Sequence, residues 1–333
     1  MTAAAPPLVS VALCVYNGER YLREQLDSIL AQEGVRIEVV AVDDCSTDGS
    51  LALLEAYAAR DARLRVHPNA TNLGHLSSFD KAMGLCTGAL IAPSDQDDIW
   101  HPRKLQRLLA AIGDADLAYC DSEYIGCDGT PLGRRISDDL DTMHAGSDPL
   151  RFVFQNTVSG HALLVRREVF LAARPFPELL YHDWWLALRA AAGNGVAYVD
   201  EPLVQFRRHE DAFSPLGKKR EARRRQPKRE RRAEAGRGAR NRKWLEERLY
   251  LLEALANTDW RGHAQARAWQ QALLAAIDGD ASALRRLCWR DRESLPPWHG
   301  SGWYRAWRFY KRCLRKIRHA RSEAPVSTPL FRS

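Results

Sequence analysis

No apolar run in this 333-residue sequence approaches the roughly 20 residues needed to cross a bilayer, so no spanning helix is expected. The opening stretch, MTAAAPPLVSVALCVYNG, lacks a basic flank and leads straight into an apolar run, so a signal peptide is not expected either. Cysteine is sparse and odd in number, seven residues with no CxxC pair. Reduced thiols in a cytoplasmic protein follow from that, rather than a disulfide framework or a zinc ribbon. His75, His101, His161, His182 and His209 show no HExxH-type spacing, and no zinc site is read from them. Internal repeats are absent.

What the sequence does hold is an apolar fraction of 45% and ten Trp, enough for a substantial core in one large domain or two ordinary ones. The net charge of +7 is unevenly divided. Residues 1–217 carry 19 Lys and Arg against 30 Asp and Glu, a net of −11, while residues 218–333 carry 30 against 12, a net of +18. An acidic front and a basic back imply regions with different partners.

The front half alternates between short apolar runs and helical patterns. LVSVALCVY (8–16) has the near-continuous apolarity of a strand buried on both faces, and Tyr21, Leu22, Gln25, Leu26, Ile29 and Leu30 follow a helical spacing. RIEVVAVDD (36–44), RLRVH (63–67), GALIAPS (88–94) and DLAYC (116–120) read as further strands, with helices between them. Strand–helix alternation of this kind predicts an α/β fold on a parallel sheet with right-handed crossovers. Later, GHALLVRR reads as a strand, DWWLALRAAA (183–192) as a helix, and VAYVDEPLVQFRRH as strands leaving the domain. The boundaries predicted are one α/β domain over 1–217, a basic linker or solvated helix over 218–243, and a helical extension over 244–333.

In an open parallel sheet, ligands bind at the carboxyl ends of the strands. Here those ends carry Tyr16-Asn17-Gly18, Asp43-Asp44, Asn72-Leu73-Gly74 and Ser94-Asp95-Gln96-Asp97-Asp98. Singly, each has a plain reading: Asp43 and Asp44 as caps and turn formers, Asn17-Gly18 as a turn. Asp95, Asp97 and Asp98 are harder to leave as a turn, because in an extended segment Asp95 and Asp97 share one side and repel. Oxygen ligands of this kind suit Mg²⁺ or Mn²⁺. An acidic turn bonded to backbone amides is the alternative. Asp183, at the start of a helix with two Trp following, is either an N-cap or a carboxylate kept poised as a base by aromatic walls.

Taken in order, VSVALCVYNGERYL, EVVAVDDCSTDGS, NLGHLSSFDKA, SDQDDIWHPRKL and HDWW resemble the inverting family-two glycosyltransferases, most of all the rhamnosyltransferase-type members of bacterial surface polysaccharide synthesis. The resemblance covers about residues 8–210. It implies a GT-A fold and a metal-dependent transfer of a sugar, with dTDP-rhamnose favoured among nucleotide-sugar donors, to a glycan or lipid-linked glycan. By position in the motifs, Tyr16 would contact the base and Asp44 hydrogen-bond it, with Asn17, Asn72 and Gly74 on the same nucleotide-sugar rim. Asp95 and Asp97 match the D-x-D carboxylates that hold Mn²⁺ or Mg²⁺ on the diphosphate, Asp98 assisting, and Asp183 matches the general base. Three departures stand out. Cys14 replaces a common Thr, Phe79-Asp80 replaces Arg-Asn with Lys81 as the nearest substitute cation, and the Gln-x-x-Arg-Trp signature of processive synthases is missing. A non-catalytic nucleotide- or nucleic-acid-binding scaffold on a degenerate version of the fold is the alternative.

In the last helical segment, Trp303, Ala306, Trp307, Tyr310, Cys313, Leu314 and Ile317 form one stripe, with Arg305, Arg308, Lys311, Arg312, Arg315, Lys316 and Arg318 at the other positions. That pattern suits either a helix lying on an anionic membrane surface or one packing its stripe on the protein. The lipid-linked acceptors implied by the resemblance favour peripheral attachment at the inner face of the membrane. Nucleic acid is not an expected partner, since no nucleic-acid module is present and the front half is acidic.

Overall fold

The computed structural model describes residues 7–140, 142–209, 237–260, 262–296 and 301–321. It divides into two units, Met1–Arg208 and His209–Ser333, slightly before the change of composition at Lys218.

In the first unit the apolar runs become β1 (Leu8–Val15), β2 (Arg36–Asp43), β3 (Leu64–Pro68) and β4 (Leu90–Ser94), interleaved with α1 (Glu19–Leu30), α2 (Ser50–Ala58) and α3 (His75–Gly84). These four strands are parallel in the order β3-β2-β1-β4, and Val9, Val11, Leu13, Val39, Ala41 and Ala92 are fully buried in the core. Helix α1 buries Tyr21, Leu22, Gln25, Leu26 and Ile29, the face its spacing predicts.

Beyond β4 the sheet is mixed. It continues through β8 (Leu163–Arg166), β6 (Leu117–Ile125), β9 (Val196–Arg207) and the two-residue β5 (Ile99–Trp100), with β7 (Pro131–Arg135) on β6. β8 runs against both β4 and β6, so β6 and its parallel neighbour β9 point the same way as the first four strands. The last predicted strand does not leave the domain; β9 lies within the sheet, between β6 and β5. The carboxyl ends of β1, β2, β4, β6 and β9 therefore share one rim. The remaining helices of this unit are α4 (Lys104–Ile112), α5 (Pro149–Phe154), α6 (Arg167–Ala173) and α7 (His182–Ala192).

The second unit is helical: α8 (Arg237–Ala256), α9 (His263–Asp278), α10 (Ser282–Arg290) and α11 (Gly302–Arg321). Most of the basic stretch 218–243 lies outside the described residues, and its end is the first turns of α8. α8 packs on α9 and α11, and α10 on both of the latter. The stripe predicted on α11 is split by this packing. Ala306, Cys313 and Ile317 are buried, joined by Phe309 and Ala320, whereas Trp303 and Trp307 face outward.

Candidate active site

The segment after β4 is not extended. It bends at Gln96 and Asp97, because the Gln96 side chain is fastened to the end of β1: its Oε1 accepts from Tyr16 N at 2.7 Å and its Nε2 donates to Tyr16 O at 3.1 Å. Gly18 leaves room for that contact, since a Cβ there would fall 2.5 Å from Gln96 Oε1. The extended segment from which Asp95 and Asp97 were expected to share a side is therefore not found, and Asp98 is brought alongside Asp95.

The group that forms is Asp95, Asp98 and His161, one ligand atom from each lying within 4.8 Å of the others. His161 Nδ1 stands 3.9 Å from Asp95 Oδ2 and 3.9 Å from Asp98 Oδ2. Asp98 is fully buried; its Oδ1 accepts from Arg207 N at 3.0 Å, while its Oδ2 has no hydrogen-bond partner among the described residues. Burial, then the charges of Asp97 and Asp95, push the Asp98 carboxyl well above the ordinary carboxylate range. The His161 ring is fixed from several sides. Its Nε2 meets Ser122 Oγ at 3.0 Å, its face stacks on Phe206 at 4.5 Å, and its carbonyl accepts from Lys104 Nζ at 2.6 Å. Burial holds this imidazole down at about 4, so it is neutral at pH 7. In the tautomer that donates Nε2–H to Ser122, Nδ1 presents a lone pair toward two carboxylates at a distance too long for a hydrogen bond. A neutral nitrogen and two carboxylate oxygens converging this way fit a divalent cation, with Ser122 as the outer partner that orients the ring.

Two buried cations brace the group. Lys104 is wholly buried, 3.1 Å over the Trp100 ring, and desolvation lowers it to about 7. Arg207 donates from Nε to Asp97 O at 2.9 Å and from Nη1 to Cys127 O at 3.2 Å, pairs with Glu24, and lies over the Tyr21 ring.

Asp183 is the second residue of α7. Its carboxylate accepts from Gly160 N at 3.1 Å, Asn156 Nδ2 at 3.4 Å and Trp184 N at 2.5 Å. Burial nevertheless raises it to about 6, with the Asp95 charge adding to the rise and His75 opposing it. The two Trp that follow donate their indole N–H groups to Phe152 O and Ala173 O. The neighbouring His182 is buried, stacked on Phe79 at 4.3 Å and 5.5 Å from His75, and its ring is pushed down to about 3. His75 Nε2 in turn stands 3.8 Å from Asp95 Oδ1, so a row of rings joins Asp95 to Asp183.

The other predicted rim residues are found at the strand ends. Tyr16 exposes 49% of its surface. Asn17, in the left-handed region at φ 49°, accepts from Thr47 N at 2.8 Å and donates its own N–H to Ser46 Oγ at 3.0 Å. Asp44 accepts from Leu73 N at 2.7 Å, Asn69 Nδ2 at 2.8 Å and Gly74 N at 2.9 Å; burial is outweighed and the carboxyl is lowered. Gly74 reaches that bond at φ +82°, a region L side chains rarely adopt. Asn72 closes the loop onto Asp44 O at 3.2 Å, and Lys81 Nζ donates to Asn69 Oδ1 at 2.6 Å. These side chains shape the rim, while the Tyr16 ring stands clear of it.

Sequence reading missed His161, Lys104 and Arg207. His161 has no metal-ligand spacing to any other His in the sequence. Its only local signal is a His at the start of a predicted strand, and those of Lys104 and Arg207 are a cation inside an apolar helix stripe and one at a strand end.

The family model described as "Glycosyl transferase family 2" matches residues 10–171. Among curated relatives, the putative teichuronic acid biosynthesis glycosyltransferase TuaG of Bacillus subtilis is 35% identical over 132 residues, 39% of this chain and 52% of its own. The dTDP-rhamnosyl transferase RfbG of Shigella flexneri is 26% identical over 213 residues, 60% of this chain and 72% of its own. The aligned segment spans 68%, 52% and 38% of the first three curated relatives. Among solved structures, S. aureus TarS 1-349 in complex with UDP-GlcNAc aligns over 95% of this chain and 90% of its own, at a TM-score of 0.59 and 17% identity. The Pyrobaculum calidifontis mannosyltransferase PcManGT, in complex with GDP-Man and Mn2+, aligns over 96% and 87%, at 0.54 and 16%. Both share the GT-A fold with this chain.

Proposed function

We propose that this chain, whose residues 10–171 match the glycosyl transferase family 2 model, carries out an inverting, divalent-cation-dependent transfer of a sugar from a nucleotide-diphosphate donor to a glycan or lipid-linked glycan. One observation carries the reading: Asp183, raised to about 6, is within electrostatic reach of Asp95, itself part of the convergent Asp95–Asp98–His161 group. A carboxylate poised to take a proton beside a site for a cation is what a one-step displacement requires.

In that step the acceptor hydroxyl gives its proton to the Asp183 carboxylate as its oxygen bonds to the anomeric carbon. The bond from that carbon to the diphosphate oxygen breaks, and the diphosphate leaves with the electron pair. The anomeric centre inverts without a sugar–enzyme intermediate. Asp95, Asp98 and His161 would hold the cation, which when bound supplies positive charge opposite the departing diphosphate. A ring nitrogen beside two carboxylates leans the donor set from Mg²⁺ toward Mn²⁺. Asp97, outside the close group, takes a lesser part. The Tyr16 ring offers a stacking face for the base. Asp44, Asn17, Asn72, Gly74 and Lys81 form the rim beside it.

The relative named a dTDP-rhamnosyl transferase supports a dTDP-rhamnose donor, and the one named for teichuronic acid biosynthesis supports a surface-polysaccharide acceptor. The test is a donor panel with the full chain: thermal shift and nucleotide release across dTDP-rhamnose, UDP-GlcNAc and GDP-mannose, in Mn²⁺, Mg²⁺ or chelator. A shift and turnover that require both dTDP-rhamnose and Mn²⁺ support the proposal. Silence with every donor, together with oligonucleotide binding at physiological salt, favours the scaffold alternative.

A further inference from the structure

The helical unit carries a surface that the transfer reading leaves unused. Helix α11 meets its packing needs with one face, on which Ala306, Phe309, Cys313, Ile317 and Ala320 are buried. Its outer face keeps Trp303 60% exposed, Trp307 47% and Tyr304 38%. Large aromatic surface of this kind is normally buried, and four helical turns display it in one row with cations. Trp303, Trp307, Lys311 and Arg315 are spaced four apart and all exposed. Lys311 Nζ lies 5.7 Å from the Trp307 ring centroid and the Arg308 guanidinium 5.4 Å from that of Tyr304. Helix α10, packed on α11, also exposes an aromatic ring, Trp289 at 49%, with the Arg292 guanidinium 5.2 Å from its centroid.

No Asp or Glu occurs anywhere in α11. The face is aromatic toward its amino end and purely cationic toward its carboxyl end. Among the described residues no helix is long and apolar enough to cross a membrane, so the face can lie on a bilayer and not through it. Indole rings prefer the boundary between headgroups and acyl chains, and flanking Lys and Arg are attracted to anionic headgroups. A ligand recognised by charge alone would use the cations and leave the rings idle. We propose that the Trp303–Tyr304–Trp307 face of α11, with its row of cations, is a docking surface for an anionic lipid bilayer. It is the face opposite the buried stripe, and the inference stands independently of the donor and acceptor.

The experiment is co-sedimentation of the full chain with vesicles of phosphatidylcholine, with and without 30% phosphatidylglycerol, alongside tryptophan emission with brominated acyl chains as quencher. Binding at least tenfold tighter to the anionic vesicles, with blue-shifted and quenched emission, is expected. The Trp303→Ala/Trp307→Ala variant should lose at least tenfold of that binding while keeping its melting temperature and its Mn²⁺ affinity. Lys311→Glu/Arg315→Glu should lose the preference for anionic vesicles. Equal binding to both vesicle types, an unquenched emission, or tryptophan variants that bind as wild type would overturn the proposal. So would oligonucleotide binding with no vesicle binding.

Discussion

Both units bury charged side chains, and the two sets are finished differently. In the helical unit, Asp291 accepts from Trp269 Nε1 at 2.7 Å and from both sides of the Arg290 guanidinium, each at 2.7 Å. Its oxygens have protein partners, as a carboxylate does when its task is to fasten helices. In the α/β unit, Asp98 has one oxygen on Arg207 N and the other without a hydrogen-bond partner among the described residues, 3.9 Å from Nδ1 of a neutral His161. A satisfied buried charge such as Asp291 can serve the scaffold alone. Convergent, unfinished charges mark a site, because leaving them so costs stability that only a ligand recovers.

The largest effect should come from Asp183. Asp183→Asn removes the proton acceptor and is expected to lower transfer by roughly 10²- to 10⁴-fold, with Mn²⁺ and donor binding intact by calorimetry. Near-normal turnover in this variant would remove the base from the proposal. The same substitution has an opposite effect on stability. Because burial raises Asp183 to about 6, its proton is bound more tightly in the folded chain than in the unfolded one. Its contribution to stability therefore falls as pH rises from about 4 to about 6 and stays low above that. At pH 8, Asp183→Asn should be more stable than wild type by up to about 3 kcal/mol, and the two should converge near pH 4. Turnover of the wild type should in turn fall as pH drops through 6.

Next in size is the cation group. His161→Ala and Asp98→Asn should each weaken Mn²⁺ binding by more than about tenfold, the scale seen when even an outer partner of a metal ligand is lost. Asp97→Asn should change it less. Titration of Mn²⁺ followed by its electron paramagnetic resonance signal reads this without turnover. If Asp97→Asn has the larger effect, Asp97 is a ligand in spite of the bend at Gln96 and the D-x-D pairing implied by the motif is restored.

Much of the α/β unit could be read from the sequence because its information is local. Continuous apolarity gives β1 and β2, and a 3.6-residue period gives the buried face of α1. Asp95 is marked by its strand end and its closely spaced carboxylate neighbours, and the role of Asp183 by an ordered motif. What escaped is long-range. The Gln96–Tyr16 bonds that bend the acidic turn span 80 positions, and Arg207 reaches Asp98 across 109. His161 enters from a short turn before β8, far from any motif that names it. Helix α11 failed for another reason. Its apolar residues occupy two faces, and periodicity cannot say which of them packs until Phe309 and Ala320 are seen to lie with Cys313 in the bundle.

The smallest predicted effect tests the comparison from the scaffold side. Asp291→Asn keeps an oxygen able to accept from Trp269 Nε1 but removes the charge facing Arg290, whose own side chain is 52% exposed and can turn to water. Only one charge-assisted contact is lost, and the freed partner is not stranded in the core. The expected cost is about 1 kcal/mol in denaturant unfolding, with Mn²⁺ affinity and transfer unchanged. Asp98→Asn should run the other way. Removing a buried carboxylate whose second oxygen has no hydrogen-bond partner among the described residues should leave the cation-free chain as stable as wild type or more so, while Mn²⁺ binding collapses. If both substitutions merely destabilise, unfinished charge does not separate the two regions. If they diverge, the difference between fastening a fold and holding a ligand is written in the hydrogen bonds that each carboxylate lacks.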